Sequence, residues 1–140
     1  METTINAYLT FNGNCREAMT FYQECIGGEL TFQTIAGSPI EAQFPVEMQN
    51  QILHTSIVKG KLMLMASDMM GPEGLNKGNN FTLCLNCNSE EEIHSCFDTL
   101  SRDGTVLNHI KEEFWGALFG QLIDKFGMGW MFIFEKKKME

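Results

Sequence analysis

Asn14-Cys15-Arg16-Glu17-Ala18-Met19-Thr20-Phe21-Tyr22-Gln23-Glu24-Cys25 and Ser89-Glu90-Glu91-Glu92-Ile93-His94-Ser95-Cys96-Phe97-Asp98-Thr99-Leu100 are the stretches on which the fold turns. In the first, Asn14 suits a helix N-cap and Glu17 stands three residues on, as in a capping box. Ala18, Phe21, Tyr22 and Cys25 then fall at i, i+3, i+4 and i+7, and Gly27-Gly28 stop the helix. The second stretch repeats the pattern with Ser89 as cap, Glu92 in the box and Ile93, Cys96, Phe97 and Leu100 on the stripe, before Asp103-Gly104 end it. Every member stands 75 positions after its counterpart: 89 against 14, 92 against 17, 93 against 18, 96 against 21, 97 against 22, 100 against 25. A register shared by cap, box and stripe marks a duplicated unit.

The flanking segments repeat as well. Apolar runs at 5–11 and 81–86 precede the two helices. Strand-like runs at 29–35, 52–59 and 61–66 follow the first, the last two joined at a tight Lys59-Gly60-Lys61 turn. Runs at 105–110, 115–123 and 130–135 follow the second. The polar, Gly- and Pro-containing stretches 36–50 and 69–79 read as loops, the latter linking the units. The order is strand, helix, three strands, twice. It predicts an α+β chain of two βαβββ modules, at about 5–68 and 79–136, in a single domain spanning 1–140. Each helix covers one face of a four-stranded sheet, and the two sheets form an open cup with the helices outside.

Length and charge narrow the function. At 140 residues and 44% hydrophobic, the chain can bury one ordinary core. Ten basic against eighteen acidic residues give a net charge of -8, which repels phosphate backbones and anionic lipid and argues against nucleic acid as a partner. The one basic run, Lys136-Lys137-Lys138, reads as a solvated end. No run is apolar enough to span a bilayer, and Met1-Glu2-Thr3-Thr4 does not begin like a signal peptide, so no membrane association and a cytoplasmic location are expected. Five cysteines, an odd number scattered through helices and strands, read as free thiols. Cys84 and Cys87 have CxxC spacing, but on a strand they point to opposite faces.

Tyr8-Leu9-Thr10-Phe11-Asn12-Gly13-Asn14-Cys15-Arg16-Glu17-Ala18 with Phe21-Tyr22 resembles the glyoxalase/bleomycin-resistance/extradiol-dioxygenase (vicinal oxygen chelate) superfamily, and within it the PhnB-like branch. Phe114-Trp115-Gly116, Phe119-Gly120-Gln121-Leu122 and Asp124-Lys125-Phe126-Gly127 with Trp130 carry the likeness through the second module. It implies the glyoxalase-like fold over nearly the whole chain. The branch often bears a ubiquinone-methyltransferase label, but a doubly wound methyltransferase needs a Gly-rich turn between a parallel strand and a helix, and the sequence has no such segment. Metal-dependent relatives place His or Glu on the first and last strand of each module. Those places fall at Asn6 (Ala7 one residue on), Met63 or its strand neighbours, Asn80 and Met131. Amides and thioethers replace such ligands poorly, so no metal and no cofactor are expected.

Of three histidines, His94 lies off the helix stripe, and His109 near a strand end is exposed or half-buried. In His54-Thr55-Ser56-Ile57-Val58, alternation sets His54, Ser56 and Val58 on one face. If that face is the concave one, His54 is the candidate catalytic residue, a proton acceptor or ligand partner. The plainer alternative is a half-buried histidine bonded to a backbone carbonyl. Asp68 could orient it, although an Asp after a strand is more often a turn residue. The same alternation assigns Tyr8, Thr10, Met63, Met65, Asn80, Thr82, Cys84, Trp115, Phe119 and Gln121 to the inner face. Apolar surface with scattered polar groups is what a small-molecule pocket needs, although most of the ten methionines and eleven phenylalanines must fill core. Trp115 falls near a strand end at the rim, Gly116 and Gly120 permit close approach of backbone or ligand, and Asp124 reads as a turn-former.

Three readings follow. One is a metal-independent protein that binds a small apolar or aromatic molecule. Another is an enzyme of the same fold, a lyase, isomerase or dioxygenase type, using His54 with a shifted metal or acid/base site. The third is an interaction protein with a vestigial pocket. Apolar sheet edges make a homodimer the expected assembly.

Overall fold

Both marked stretches are helices, α1 (Cys15–Ile26) and α2 (Glu90–Leu100), in a computed structural model that describes residues 2–136. Their N-termini are satisfied by different devices. At α2, Ser89 Oγ accepts the Glu92 N–H at 3.0 Å, and the Glu92 carboxylate reaches back to the Asn88 N–H at 2.6 Å. At α1 the Asn14 side chain makes no cap bond. The Gly13 and Cys15 N–H groups are taken instead by Asp68 Oδ1, at 2.9 and 3.0 Å. The expected capping by Asn14 and Glu17 is therefore corrected. Four residues separate the first strand from α1, three the fifth strand from α2, and the longer loop turns its N–H groups toward a distant carboxylate.

The strands are β1 (Ala7–Thr10), β2 (Glu29–Thr34), β3 (Ile52–Lys59) and β4 (Leu62–Ser67), then β5 (Leu83–Asn86), β6 (Thr105–Glu112), β7 (Ala117–Ile123) and β8 (Gly129–Glu135). They form two four-stranded sheets, ordered β1-β4-β3-β2 and β5-β8-β7-β6, in which β1/β4 and β5/β8 are parallel and the other pairs antiparallel. The chain divides into two compact units, 1–76 and 77–140, each a strand, a helix and three strands. No helix among the described residues is long and apolar enough to cross a membrane.

Each unit buries one sheet face under its helix. In the first, Leu9, Thr55, Ile57, Leu64 and Ala66 are buried with Ala18, Met19 and Tyr22 of α1. In the second, Leu118, Leu122 and Phe132 are buried with Ile93, Cys96 and Phe97 of α2. Gly120 belongs to this packed face. A Cβ there would lie 2.5 Å from Ile110 Cδ1 and 3.0 Å from Phe97 Cε2, so its bareness admits core side chains rather than a ligand.

Several strand limits differ from expectation. Pairing of β5 begins at Leu83 opposite Trp130, and β8 itself begins only at Gly129, so Asn80 and Thr82 precede the strand and are exposed. Trp115 is likewise not on a strand. It lies in the 113–116 turn between β6 and β7, which is closed by Glu113 N–H to Ala117 O at 2.8 Å and by Gly116 at φ +93°. The stretch 36–50 holds two single 3-10 turns, Glu41–Gln43 and Val46–Met48. Lys136 pairs with Glu112 at 3.2 Å, so the basic run is not wholly a solvated end; Met1, Lys137 and Lys138 lie outside the described residues.

Two predictions follow from the helix N-termini and from Cys15 of α1. Ser89→Ala should lower the unfolding free energy by about 1 kcal/mol while Asn14→Ala changes it by less than about 0.5 kcal/mol, and Asp68→Ala should cost about 3 kcal/mol, all read from urea unfolding midpoints. Burial, reinforced by the Asp68 charge, pushes the fully buried Cys15 thiol from 9.0 up to about 12. The unfolded thiol then loses its proton near pH 9 while the folded one keeps it, so the stability tied to Cys15 falls from pH 9 toward 12, by at most about 1.4 kcal/mol per pH unit. Stability curves of Cys15→Ala and the native chain should converge as pH rises through that window.

Candidate functional site

Strand β3 decides the chemistry of the first unit. Thr55 and Ile57 are buried beneath α1, which turns His54, Ser56 and Val58 to the helix-free face. The ladder pairs Tyr8 with Met65, Met65 with Ser56 and Ser56 with Thr31, a row across all four strands. Thr10 lies on the same face of β1, and Met63 opposite Val58 on β4. The Tyr8 ring reaches over β4, bringing its hydroxyl to 3.4 Å from His54 Nδ1, with ring centroids 5.8 Å apart. Ser56 Oγ and Thr31 Oγ1 meet at 3.4 Å. His54 is exposed and bonded to a side chain, not half-buried on a carbonyl. When Tyr8 donates to Nδ1, the ring proton resides on Nε2, which can donate outward.

Asp68 does not orient His54. Its Oδ1 is shared by Gly13 and Cys15, and its Oδ2 accepts the Ile52 N–H at 2.9 Å. Sequence alone offered no signal for Tyr8 as the partner of His54, because the two lie 46 residues apart with a third strand between them. Nor did it signal a concavity of about 460 Å³ beside the first turn of α1, bordered by Gly13, Arg16, Thr20 and Asn50. That hollow contains none of the expected inner-face residues.

In the second unit Leu118, Gly120 and Leu122 turn toward α2, which leaves Phe119 and Gln121 on the helix-free face. Gln121 is paired with Met131, which is paired with Cys84. On the other side Asn108 Nδ2 donates to Gln121 Oε1 at 3.3 Å. Trp115 packs edge-on to Phe119 with centroids 6.4 Å apart, and Phe114 edge-on to Trp115 at 5.1 Å. Asn80 and Thr82 do not join this group through a strand, Thr82 lying beside Gly129. Asp124 is a turn organiser: Oδ1 accepts the Phe126 and Met128 N–H groups at 2.8 and 3.0 Å, and Oδ2 the Trp130 Nε1–H at 2.9 Å. His94 and His109 are exposed, the latter with its ring 6.4 Å from that of Phe97.

The places at which metal-dependent relatives hold an ion do not fit one here. Asn6 offers only a neutral amide oxygen, its Nδ2 donating to Thr4 Oγ1 at 3.2 Å, Met63 and Met131 offer thioethers, and Asn80 lies off the strand. Among the described residues no three His, Cys, Asp or Glu side chains are grouped to share an ion.

Two open sheets, each with one helix on one face and three strands following it, define the glyoxalase-like fold. A member of the glyoxalase/bleomycin resistance protein/dioxygenase superfamily from Sphaerobacter thermophilus has it, with a TM-score of 0.61 at 14% identity over 96% of this chain and 98% of that one. The likeness sharpens in protein PA1353 of Pseudomonas aeruginosa, at TM-score 0.83 and 35% identity over 96% and 98% of the two chains. A Bacillus cereus PhnB protein, described as a putative 3-demethylubiquinone-9 3-methyltransferase, gives 0.74 at 23% identity over 94% and 99%. Protein YjdN of Escherichia coli K12 is 33% identical over 135 residues, 91% of this chain and 92% of that protein. The family model described as 3-demethylubiquinone-9 3-methyltransferase matches residues 3–133, so the chain belongs to this family, and it has the glyoxalase-like fold.

Face assignment can be checked chemically. Cys84 is exposed on the helix-free side and Cys87 buried, and partial burial raises the Cys84 thiol above its ordinary 9.0. Exposure outweighs the raised pKa, so a disulfide-exchange reagent at pH 8.5 should modify Cys84 ahead of half-buried Cys25 and of buried Cys15, Cys87 and Cys96. Cys84→Ser should remove the fastest phase.

Proposed function

We propose that this chain is a metal-independent protein that binds a small, largely apolar or aromatic molecule against the helix-free face of its first sheet. The observation that carries this is the Tyr8 hydroxyl at 3.4 Å from His54 Nδ1, set beside Met65 and Ser56 on an open face. Thioether and aromatic surface supplies affinity, and the imidazole, with Ser56, fixes orientation. The family description names a methyl transfer. This reading does not include it, because neither parallel strand, β1 or β5, hands on to its helix through the Gly-rich turn that a doubly wound methyltransferase uses for its nucleotide.

The same pair favours one second reading, an enzyme that moves a proton. With Tyr8 holding one ring nitrogen, the other is free to exchange a proton with a ligand, and no metal is required for that step. A homodimer accompanies either reading, since each sheet ends in edge strands.

Thermal unfolding of chelator-treated protein tests the proposal. Zn²⁺, Ni²⁺, Mn²⁺ and Fe²⁺ should leave Tm unchanged, whereas members of an aromatic small-molecule collection should raise it by several degrees, an effect reduced in Tyr8→Phe and His54→Ala. A rise with one ion that vanishes in His54→Ala would overturn the metal-free reading. Turnover of a bound compound that is lost in His54→Ala would select the enzyme.

A further inference from the structure

We propose that Asn12–Gly13 is a modification site at which the Asn12 side chain loses ammonia through a cyclic imide. The Asp68 carboxylate holds the reaction off by binding the Gly13 N–H, and the reaction undoes that clamp once it has occurred. The proposal is independent of any ligand on the sheet faces.

Two observations carry it. The first is that the reacting groups are adjacent and exposed. Of ten asparagines, Asn12 is the one followed by glycine. Both residues are exposed, in the loop that joins β1 to α1. Gly13 stands at φ +89°, and a Cβ there would meet nothing within 4 Å, so no side chain of its own and no packed neighbour screens that position. In the reaction the Gly13 nitrogen gives up its proton and attacks Asn12 Cγ. The N–Cγ bond forms, the Cγ–Nδ2 bond breaks, and Nδ2 leaves as ammonia with the proton. Water then opens the imide at one of its two carbonyls. The product is an ordinary aspartate or one linked to Gly13 through its side-chain carboxyl.

The second observation is where the attacking nitrogen is held. Its N–H donates to Asp68 Oδ1 at 2.9 Å, and Asp68 is buried. A carboxylate is far too weak a base to take an amide proton, and an amide anion forming 2.9 Å from it would set two like charges together. The bond therefore protects the nitrogen instead of activating it. Its position also makes the product disruptive. Phe11 N–H is fixed to Ser67 O at 2.9 Å, so Asn12 alone spans two anchors on consecutive residues, Ser67 and Asp68. A side-chain linkage puts an extra methylene into that span, and either product adds a negative charge next to the residue that Asp68 holds. The Gly13 N–H then leaves Asp68, and the carboxylate that also takes the Cys15 and Ile52 N–H groups is displaced from both.

Peptide mapping by mass spectrometry tests the proposal. The full chain is incubated at neutral pH, folded and in urea, with the nine other asparagines as background. Asn12 should convert fastest of all in urea and at least about tenfold more slowly in the folded chain, the scale of one hydrogen bond to a charged group. Asp68→Ser, where it folds, should convert at close to the urea rate. Hydrogen exchange on the native chain needs no variant: the Gly13 N–H should exchange slowly, together with those of Cys15 and Ile52. Chain converted in urea and returned to buffer should lose protection at Cys15 and Ile52 or fail to refold. Conversion of the folded native chain at the urea rate overturns the proposal, as does fast exchange at Gly13. So does a folded Asp68→Ser chain that converts as slowly as the native one, or a converted chain that keeps native protection at Cys15 and Ile52.

Discussion

The carboxylate of Asp68 is the interaction on which the first unit depends. It is 4% exposed, and a buried carboxylate is tolerable only when its oxygens are fully engaged. Asp68 meets that demand with three backbone N–H groups, from Gly13, Cys15 and Ile52, while its own N–H donates to Ile52 O at 2.8 Å. One side chain therefore closes the β1–α1 loop, starts the helix and pins the beginning of β3 to the end of β4. This matters for the site because Tyr8, Met65 and His54 sit on β1, β4 and β3. A slip of one residue between β3 and β4 would turn His54 under α1 and bring Thr55 out. The Tyr8–His54 contact thus rests on a carboxylate that touches neither residue.

The second unit reaches the same fold without that clamp. Cys87 N–H bonds Ile133 O at 2.8 Å, as Phe11 N–H bonds Ser67 O at 2.9 Å, so the parallel strands run on equivalently. Beyond that point Ser89 caps α2 locally. The buried aspartate of this unit is Asp124, which also gathers three donors but works at the β7–β8 turn, where it orients the Trp130 indole. Helix starts demand only that their N–H groups find acceptors, and any nearby oxygen will serve. The apolar stripe has no such freedom, since every member must face the sheet. That is why the stripes of the two units coincide at an interval of 75 while the caps diverge.

The same contrast explains what could be read from the sequence. Helix periodicity and strand alternation are local, so the duplicated βαβββ order and the facing of His54, Ser56, Met63, Met65, Phe119 and Gln121 were legible. Strand limits were not, because a strand ends where its neighbour does. Asn80 and Thr82 continue the alternation of β5, yet pairing with β8 begins only at Leu83 opposite Trp130. Trp115 continues an apolar run but belongs to a turn that Gly116 makes possible. The roles of Asp68 and the Tyr8–His54 pair depend on strand order β1-β4-β3-β2, which no residue pattern along the chain states.

The two helix-free faces differ in what they offer a ligand. The first carries hydroxyls, thioethers and an imidazole held through one nitrogen; the second carries an amide pair, an indole and a phenyl ring. Their charged groups stand beside these, Glu29 opposite Val58 on the first face, Lys111 opposite Phe119 and Glu135 opposite Ala117 on the second. A neutral molecule over the Tyr8–His54 or Asn108–Gln121 groups loses little on leaving water and gains from ring and sulfur contacts. Apolar contact of this kind discriminates poorly between ligands of similar size. Hydrogen-bonding groups discriminate well, because a ligand that lacks the matching atom leaves them desolvated and unpaired. On the proposed small-molecule reading, selectivity falls to a few polar atoms, His54 Nε2 on one sheet and the Asn108–Gln121 pair on the other, and the surrounding Met and aromatic surface sets affinity without choosing among ligands.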